Sequence, residues 1–146
     1  MAKISGSCHC GNITFHAELK NSLLEYLPRA CSCKLCRSHG AAYISDHEGS
    51  IAISIKNEND LSRYRQGSKL ADFLICKNCG VMTNVIYEES GKLYASINAR
   101  ATDQFEEFGD PQRMQLAELT DEERVNRWKD IWFSDVNIEI EKPSAS

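Results

Sequence analysis

The sequence lacks the features that mark membrane, secreted and nucleic-acid-binding proteins. No apolar stretch approaches the ~20 residues that a membrane-spanning helix needs, and the first residues lack the apolar core of a secretion signal. Runs of Lys and Arg are also missing, and 17 basic against 21 acidic residues give a net charge of −4. We therefore expect a cytoplasmic protein with small-molecule or protein partners, and neither a membrane nor a nucleic acid as partner.

The length of 146 residues suits one domain, and the sequence shows neither internal repeats nor low-complexity segments. We expect a single domain over residues 1–146 that is a monomer or a small homo-oligomer, with a frayed tail at 142–146.

Alternation of apolar and polar residues predicts short β-strands. Three segments alternate in this way, at 13–17, 51–55 and 93–97. Ser90-Gly91 lies between two strand-like segments, 82–88 and 92–98, and predicts a hairpin turn.

Residues after about Arg100 have a different pattern. A short helix is expected over 101–108, and Thr120 with Glu123 has the form of a capping box that begins a longer helix. One face of that helix would hold the apolar residues Val125, Trp128, Ile131 and Trp132, and we expect both tryptophans in the core. A last strand would follow at 136–140. The predicted fold class is mainly β, with a C-terminal helix and short flanking helical segments.

Seven cysteines fall into three clusters, which are Cys8-His9-Cys10, Cys31-Ser32-Cys33-Lys34-Leu35-Cys36 and Cys76-Lys77-Asn78-Cys79. The odd count and the tight spacings argue against a disulfide framework and favour metal binding. Residues two apart on an extended segment point to the same side, so Cys8 and Cys10, or Cys31 and Cys33, can present two thiolates to one ion. The Cys-x-x-Cys spacing of the third cluster does the same through a tight turn. Gly11 and Gly80 follow the outer clusters and suit the positive φ of metal-binding turns.

Zinc in structural sites usually has four protein ligands, whereas catalytic zinc has three and an open position. The outer clusters together supply four cysteines, and the middle cluster supplies three. Two other arrangements stay open on spacing alone. A histidine could complete the middle site, the candidates being His9, His16, His39 and His47, or two middle cysteines could belong to the four-cysteine site. An open three-thiolate site would suit addition of a thiol to a small carbonyl compound, or the reverse carbon–sulfur cleavage.

The ordered clusters, with Arg37 after the second and Gly80 after the third, resemble the glutathione-dependent formaldehyde-activating enzyme family, whose domain centromere protein V shares. The resemblance covers residues 3–100 and implies a β-tent-like fold with two zinc ions. It implies Cys8, Cys10, Cys76 and Cys79 as ligands of the structural zinc, and Cys31, Cys33 and Cys36 as ligands of the catalytic zinc. The implied reaction is the condensation of glutathione with formaldehyde to S-hydroxymethylglutathione, by a carbon–sulfur lyase.

Glutathione has two carboxylates, so cations are expected near the open zinc. Arg37 and Arg65 are the candidates for substrate binding, and His39 is a candidate proton shuttle. Residues 101–141 form a helix–strand extension outside the motif-bearing region, which either covers an apolar face or closes over the second zinc and selects another thiol. The alternative function is a non-enzymatic zinc module that binds a protein.

Overall fold

The structure is a computed structural model of the chain, and it describes residues 1–66, 69–116 and 118–141. The predicted tail at 142–146 lies outside the described residues. Within them the strands are β1 (Ala2–Ser7), β2 (Ile13–Leu19), β3 (Arg29–Cys31), β4 (Tyr43–Ile44), β5 (Ser50–Ile55), β6 (Leu61–Tyr64), β7 (Asp72–Cys76), β8 (Met82–Glu89), β9 (Lys92–Asn98), β10 (Gln112–Met114) and β11 (Asp135–Ile140). The α-helices are α1 (Lys34–His39) and α2 (Asp121–Ile131). No described helix has both the length and the apolarity that crossing a membrane requires.

The mainly β fold class is confirmed, and the predicted strands lie within β2, β5, β9 and β11. β8 and β9 form the predicted hairpin, with positive φ angles of 53° at Ser90 and 81° at Gly91. The capping box of α2 is also present, since the N–H of Glu123 donates to Oγ1 of Thr120 at 3.2 Å and the N–H of Thr120 donates to Oε1 of Glu123 at 3.0 Å.

The expected helix at 101–108 differs from the structure, which has two 3-10 turns, Ala99–Ala101 and Phe105–Glu107. Between these turns the chain pairs with β1, because Thr102 bridges to Gly6 and the N–H of Asp103 donates to the carbonyl of Ser5 at 2.9 Å. These tertiary hydrogen bonds take the place of a continuous helix.

The strands form two sheets, one with the order β1-β2-β5-β11 and the other with the order β10-β3-β4-β9-β8-β7-β6. Neighbouring strands are antiparallel except at two edges, where β10 runs parallel to β3 and β11 runs parallel to β5. Both parallel edge strands come from the segment after residue 101. This segment therefore completes both sheets.

The main core lies between the two sheets and includes Phe15 and Ile53 of the smaller sheet with Leu74 and Ile97 of the larger one. A second apolar cluster lies on the opposite face of the larger sheet. Successive strand residues point to opposite faces, and three adjacent pairs show this: Tyr43 and Ile44, Phe73 and Leu74, Val85 and Ile86. In each pair the first residue belongs to the second cluster and the second to the main core. The larger sheet is thus apolar on both faces, and α2 packs on the outer one.

Candidate metal centres and active site

The two outer cysteine clusters meet in space. The Sγ atoms of Cys8, Cys10, Cys76 and Cys79 all lie within 4.8 Å of one another. Sγ of Cys10 is 3.8 Å from that of Cys8 and 3.5 Å from that of Cys76. Thiolates about 2.3 Å from a tetrahedral zinc would be about 3.8 Å apart. The four cysteines could therefore hold a zinc ion that ties the start of the chain to its middle.

Two tight turns present these thiols. In the first, the N–H of Ile13 donates to Sγ of Cys8 at 3.2 Å, and Gly11 has a φ of 83°. In the second, the N–H of Gly80 donates to the carbonyl of Cys76 at 2.8 Å, and Gly80 has a φ of 81°. Both glycines adopt the left-handed conformation that the sequence predicted, which costs a residue with a Cβ more than it costs glycine.

The pKa values in this cluster spread widely when no ion is present. Burial raises the pKa of Cys76 to about 12 and also raises that of Cys8, whereas a hydrogen bond with the Asn78 side chain lowers the pKa of Cys10 to about 6. Neighbouring thiols cannot all ionise without a compensating charge. A bound cation would supply that charge and displace the protons.

The middle cluster forms a second, separate group. The Sγ atoms of Cys31, Cys33 and Cys36 also lie within 4.8 Å of one another. The N–H of Cys33 donates to Sγ of Cys31, and the N–H of Cys36 donates to Sγ of Cys33, both at 3.4 Å. Among the described residues no histidine, carboxylate or further cysteine joins this group. The geometry thus separates four thiols from three, as ligand counting predicted.

Two side chains from other elements approach the middle cluster. The hydroxyl of Tyr43 is 3.0 Å from Sγ of Cys36, and Nε2 of Gln66 is 3.8 Å from Sγ of Cys33. A hydrogen bond with Cys36 lowers the pKa of Cys31 to about 5, and the same contact together with burial raises the pKa of Cys36. Of this pair, Cys31 therefore loses its proton more readily than Cys36.

A cavity of about 370 Å³ opens above the middle cluster, a size typical of small-molecule sites. Its floor is the outer face of the larger sheet with the three cysteines, and α2 forms one wall. Its lining includes Arg29, Tyr43, Arg124, Arg127, Trp128 and Trp132. Three of these are arginines, and no Asp or Glu of the described residues lines the cavity.

Arg29 is half-buried beside the cysteines and donates to Oγ of Ser45 at 2.9 Å. Burial and the nearby charge of Arg127 lower the pKa of Arg29 to about 10. Neither Arg29 nor Arg127 forms an ion pair with a carboxylate of the described residues. Such an ion pair would offset the cost of burying the positive charge of Arg29. An anion in the cavity would offset it instead.

Comparison with protein families matches residues 3–117 of the chain to the glutathione-dependent formaldehyde-activating enzymes. The chain belongs to this family. A crystal structure of a Rhodobacter sphaeroides protein is similar over 68% of this chain and 87% of the other, with 24% sequence identity and a TM-score of 0.47. No curated protein matches significantly. The matched segment contains all seven cysteines and ends before α2 begins at Asp121.

The sequence led us to expect both tryptophans in the core. In the structure they belong to an apolar cluster and also line the cavity. Their rings stack with centroids 4.9 Å apart and an interplanar angle of 16°, and the ring of Tyr87 lies 5.4 Å from that of Trp128. Trp132 is buried and Trp128 half-buried in the second apolar cluster, yet both also line the cavity. Trp128 lies on α2, whereas Trp132, which the sequence predicted on the same helix, is its C-cap, one residue past the helix end. Together they cover the sheet and shape the candidate site.

The structure places the three predicted substrate-binding residues away from the cavity lining. Arg37 and His39 are exposed on α1. His39 lines a different depression, together with Gly80 and Arg100 among others. Arg65 is exposed and pairs with Asp72, with Nε 2.6 Å from Oδ1. A role for these three in binding substrate stays a prediction from the sequence.

Sequence reasoning missed the lining residues Arg29, Tyr43, Gln66, Arg124 and Arg127. Two signals were available. Arg29 precedes Cys31 by two positions on an extended strand, so both side chains point to one side. Helical spacing places four lining residues on one face of α2, which are Arg124, Arg127, Trp128 and Ile131. Nothing local in the sequence marks Tyr43, which reaches Cys36 from another element.

Proposed function

We propose that the protein is a zinc-dependent carbon–sulfur lyase that acts on a thiol–aldehyde adduct. Glutathione and formaldehyde are the pair that the family name indicates, and S-hydroxymethylglutathione would be the product. The observation that carries this proposal is the placement of three cysteine sulfur atoms at the base of an arginine-lined cavity.

The donor sets fit two zinc ions per chain. Four thiolates at tetrahedral spacing suit a closed structural site at Cys8, Cys10, Cys76 and Cys79. Three thiolates beside a cavity suit an open catalytic site at Cys31, Cys33 and Cys36. Zinc bound there would lower the pKa of a substrate thiol that enters the open position.

In the condensation a bond forms between the thiol sulfur and the carbonyl carbon, and the thiol proton ends on the former carbonyl oxygen. The reverse reaction breaks that bond and returns the proton to sulfur. The arginines would hold the carboxylates of the thiol component, because guanidinium groups bind carboxylates through paired hydrogen bonds. The apolar walls would exclude water from the adduct. The Tyr43 hydroxyl would orient the Cys36 ligand through its contact with sulfur.

Exchange spectroscopy with ¹³C-labelled formaldehyde and glutathione tests this proposal. The zinc-loaded protein should accelerate the exchange of label between formaldehyde hydrate and the hydroxymethyl thioether. Cys36→Ser should abolish the acceleration, and Ser38→Ala, an exposed substitution on the same helix, should preserve it. Absence of acceleration by the loaded parent protein would contradict the proposal. If, in addition, cobalt at the second site gave a spectrum unresponsive to thiols, the non-enzymatic binding module would be favoured.

A further inference from the structure

The wall of the cavity that faces the cysteines comes from a part of the chain outside the family match. The match ends at residue 117, whereas Arg124, Arg127, Trp128, Ile131 and Trp132 all line the cavity. The family match therefore includes the cysteine floor and does not include α2. Selection among thiols would depend on the wall that α2 forms, since the cysteines offer the same ligands to any thiol.

The charge of the cavity favours an anionic ligand. Arg29 projects from the sheet side and Arg127 from α2, and both line the same cavity. Neither arginine has a carboxylate partner in the described part of the chain. A ligand carboxylate between them would compensate both charges. A ligand ammonium group would instead add positive charge to a cavity that three arginines already line, which Coulomb repulsion disfavours.

The rest of the cavity favours an apolar body. Trp128 and Trp132 present stacked rings, and Phe73 and Val85 line the sheet side opposite them. Aromatic surfaces of this size bind flat apolar groups by burying their area. Glutathione, in contrast, has two peptide bonds and an α-ammonium group, for which these surfaces offer little hydrogen bonding.

On these grounds, and resting on the proposed function, we infer that the preferred thiol component is an apolar or aromatic thiol with a carboxylate and without an ammonium group. Its sulfur would face Cys31, Cys33 and Cys36, its carboxylate would lie between Arg29 and Arg127, and its apolar body would lie against the tryptophans. Arg127 and Trp128 are then specificity-determining residues supplied by α2.

A sulfur-free probe tests the inference apart from catalysis. 3-Phenylpropanoate has the carboxylate and the ring, 3-phenylpropanamide lacks the charge, and phenylalanine adds the ammonium group. Both tryptophans of the chain line the cavity, so their fluorescence reports binding there. We expect the carboxylate to bind about tenfold more tightly than the amide or phenylalanine, the difference that one charged hydrogen bond typically makes.

Matched variants locate the effect. Arg127→Gln should weaken binding of 3-phenylpropanoate about tenfold and leave binding of the amide unchanged. Arg113→Gln makes the same change in charge at an exposed position on β10 outside the lining, and it should have no effect. Any one of four results would overturn the inference: the carboxylate and the amide bind equally, phenylalanine binds as tightly as the carboxylate, no probe binds, or the two variants have equal effects.

Turnover separates this inference from the proposed function. The exchange assay is repeated with 3-phenyl-2-sulfanylpropanoate beside glutathione, and the aromatic thiol is expected to have the higher kcat/KM. Acceleration with glutathione and no preference for the aromatic thiol would overturn the inference and leave the proposed function standing. Selective binding of 3-phenylpropanoate without exchange of either adduct would support the ligand class and contradict the proposed function.

Discussion

The hydroxyl of Tyr43 lies 3.0 Å from Sγ of Cys36, and both residues are buried. Cys33 is the N-cap of α1 and Gly40 is its C-cap, whose φ of 64° turns the chain so that β4 passes beside the cluster. Burial raises the pKa of Tyr43, so its hydroxyl keeps its proton and can donate to a Cys36 thiolate.

Tyr43→Phe is expected to weaken zinc binding at the middle cluster by about ten- to a hundredfold, the usual range for loss of a hydrogen bond to a metal ligand. Competition with a chromophoric chelator measures this affinity. Tyr94→Phe is the matched control, because Tyr94 packs against the same apolar cluster and its hydroxyl is not among the described groups that hydrogen-bond the cysteines. An unchanged affinity in Tyr43→Phe would show that the contact does not tune the site.

Zinc content should distinguish the two clusters. Native mass spectrometry of the parent is expected to show two zinc ions, one of them removable by a mild chelator. Cys36→Ser should lose the labile ion and stay folded, since α2 and the sheet still pack around the cavity. Cys76→Ser should fail to fold, because structural zinc binding contributes directly to folding free energy. One zinc ion that Cys36→Ser does not affect would contradict the open site.

Gly6 in β1 is buried where a side chain has no room. A Cβ there would overlap the carbonyl oxygen of Ala101 and the ring of Phe15. Gly6→Ala should therefore lower the free energy of unfolding by about 1–3 kcal/mol, the usual cost of overpacking. Chemical denaturation measures the change, with Ser7→Ala on the same strand as control. A stability equal to that of the parent would mean that this contact relaxes without cost.

Asp46 joins three segments through hydrogen bonds that depend on its charge. Burial alone would raise the pKa of its carboxyl group, but the N–H of Lys20, the hydroxyl of Tyr26 and the N–H of Glu48 together lower it below the ordinary 3.8. A lowered pKa stabilises the fold above the ordinary value, and this stabilisation is lost as the pH falls through the folded-state pKa. Asp46→Ala should thus lower the free energy of unfolding at pH 7 by about 1–3 kcal/mol.

The difference between Asp46→Ala and the parent should begin to shrink in denaturation experiments below pH 4, and it should disappear as the pH falls through the lowered folded-state pKa and Asp46 loses its charge. Asp110→Ala, at an exposed position, should show little difference at either pH. A difference for Asp46→Ala that stays the same from pH 7 to pH 3 would show that the side chain stabilises the fold without its charge.

Charge substitutions can decide between the arginines predicted from the sequence and those that line the cavity. Arg127→Gln should raise the KM for the carboxylate-bearing adduct about tenfold, whereas Arg37→Gln and Arg65→Gln should change it less. Arg37 is exposed on α1, and Arg65 already pairs with Asp72. A larger effect from Arg37→Gln than from Arg127→Gln would restore the sequence-based assignment.

Local patterns account for much of what the sequence determined by itself. The hairpin at Ser90-Gly91, the capping box of α2 and the left-handed glycines after the outer clusters each depend on a few adjacent residues. Ligand counting also predicted the division of the cysteines into four and three, but spacing alone left other arrangements open, and the positions of the sulfur atoms distinguished them. Short strands such as β4 and β6 gave no comparable signal, since their pairing depends on partners far along the chain.

Tertiary structure alone decided the character of the cavity. The sequence could place Trp128 and Arg127 on the same side of α2, but it could not show which surface that side would cover. The hydrophobic effect is non-directional, so an apolar helix face can be buried against either face of a sheet. Here α2 packs over the cysteines, so that Arg127 joins Arg29 and Tyr43, which the pairing of β3 with β4 already places side by side. Ligand spacing is local geometry, whereas the surroundings of the ligands are set by long-range packing.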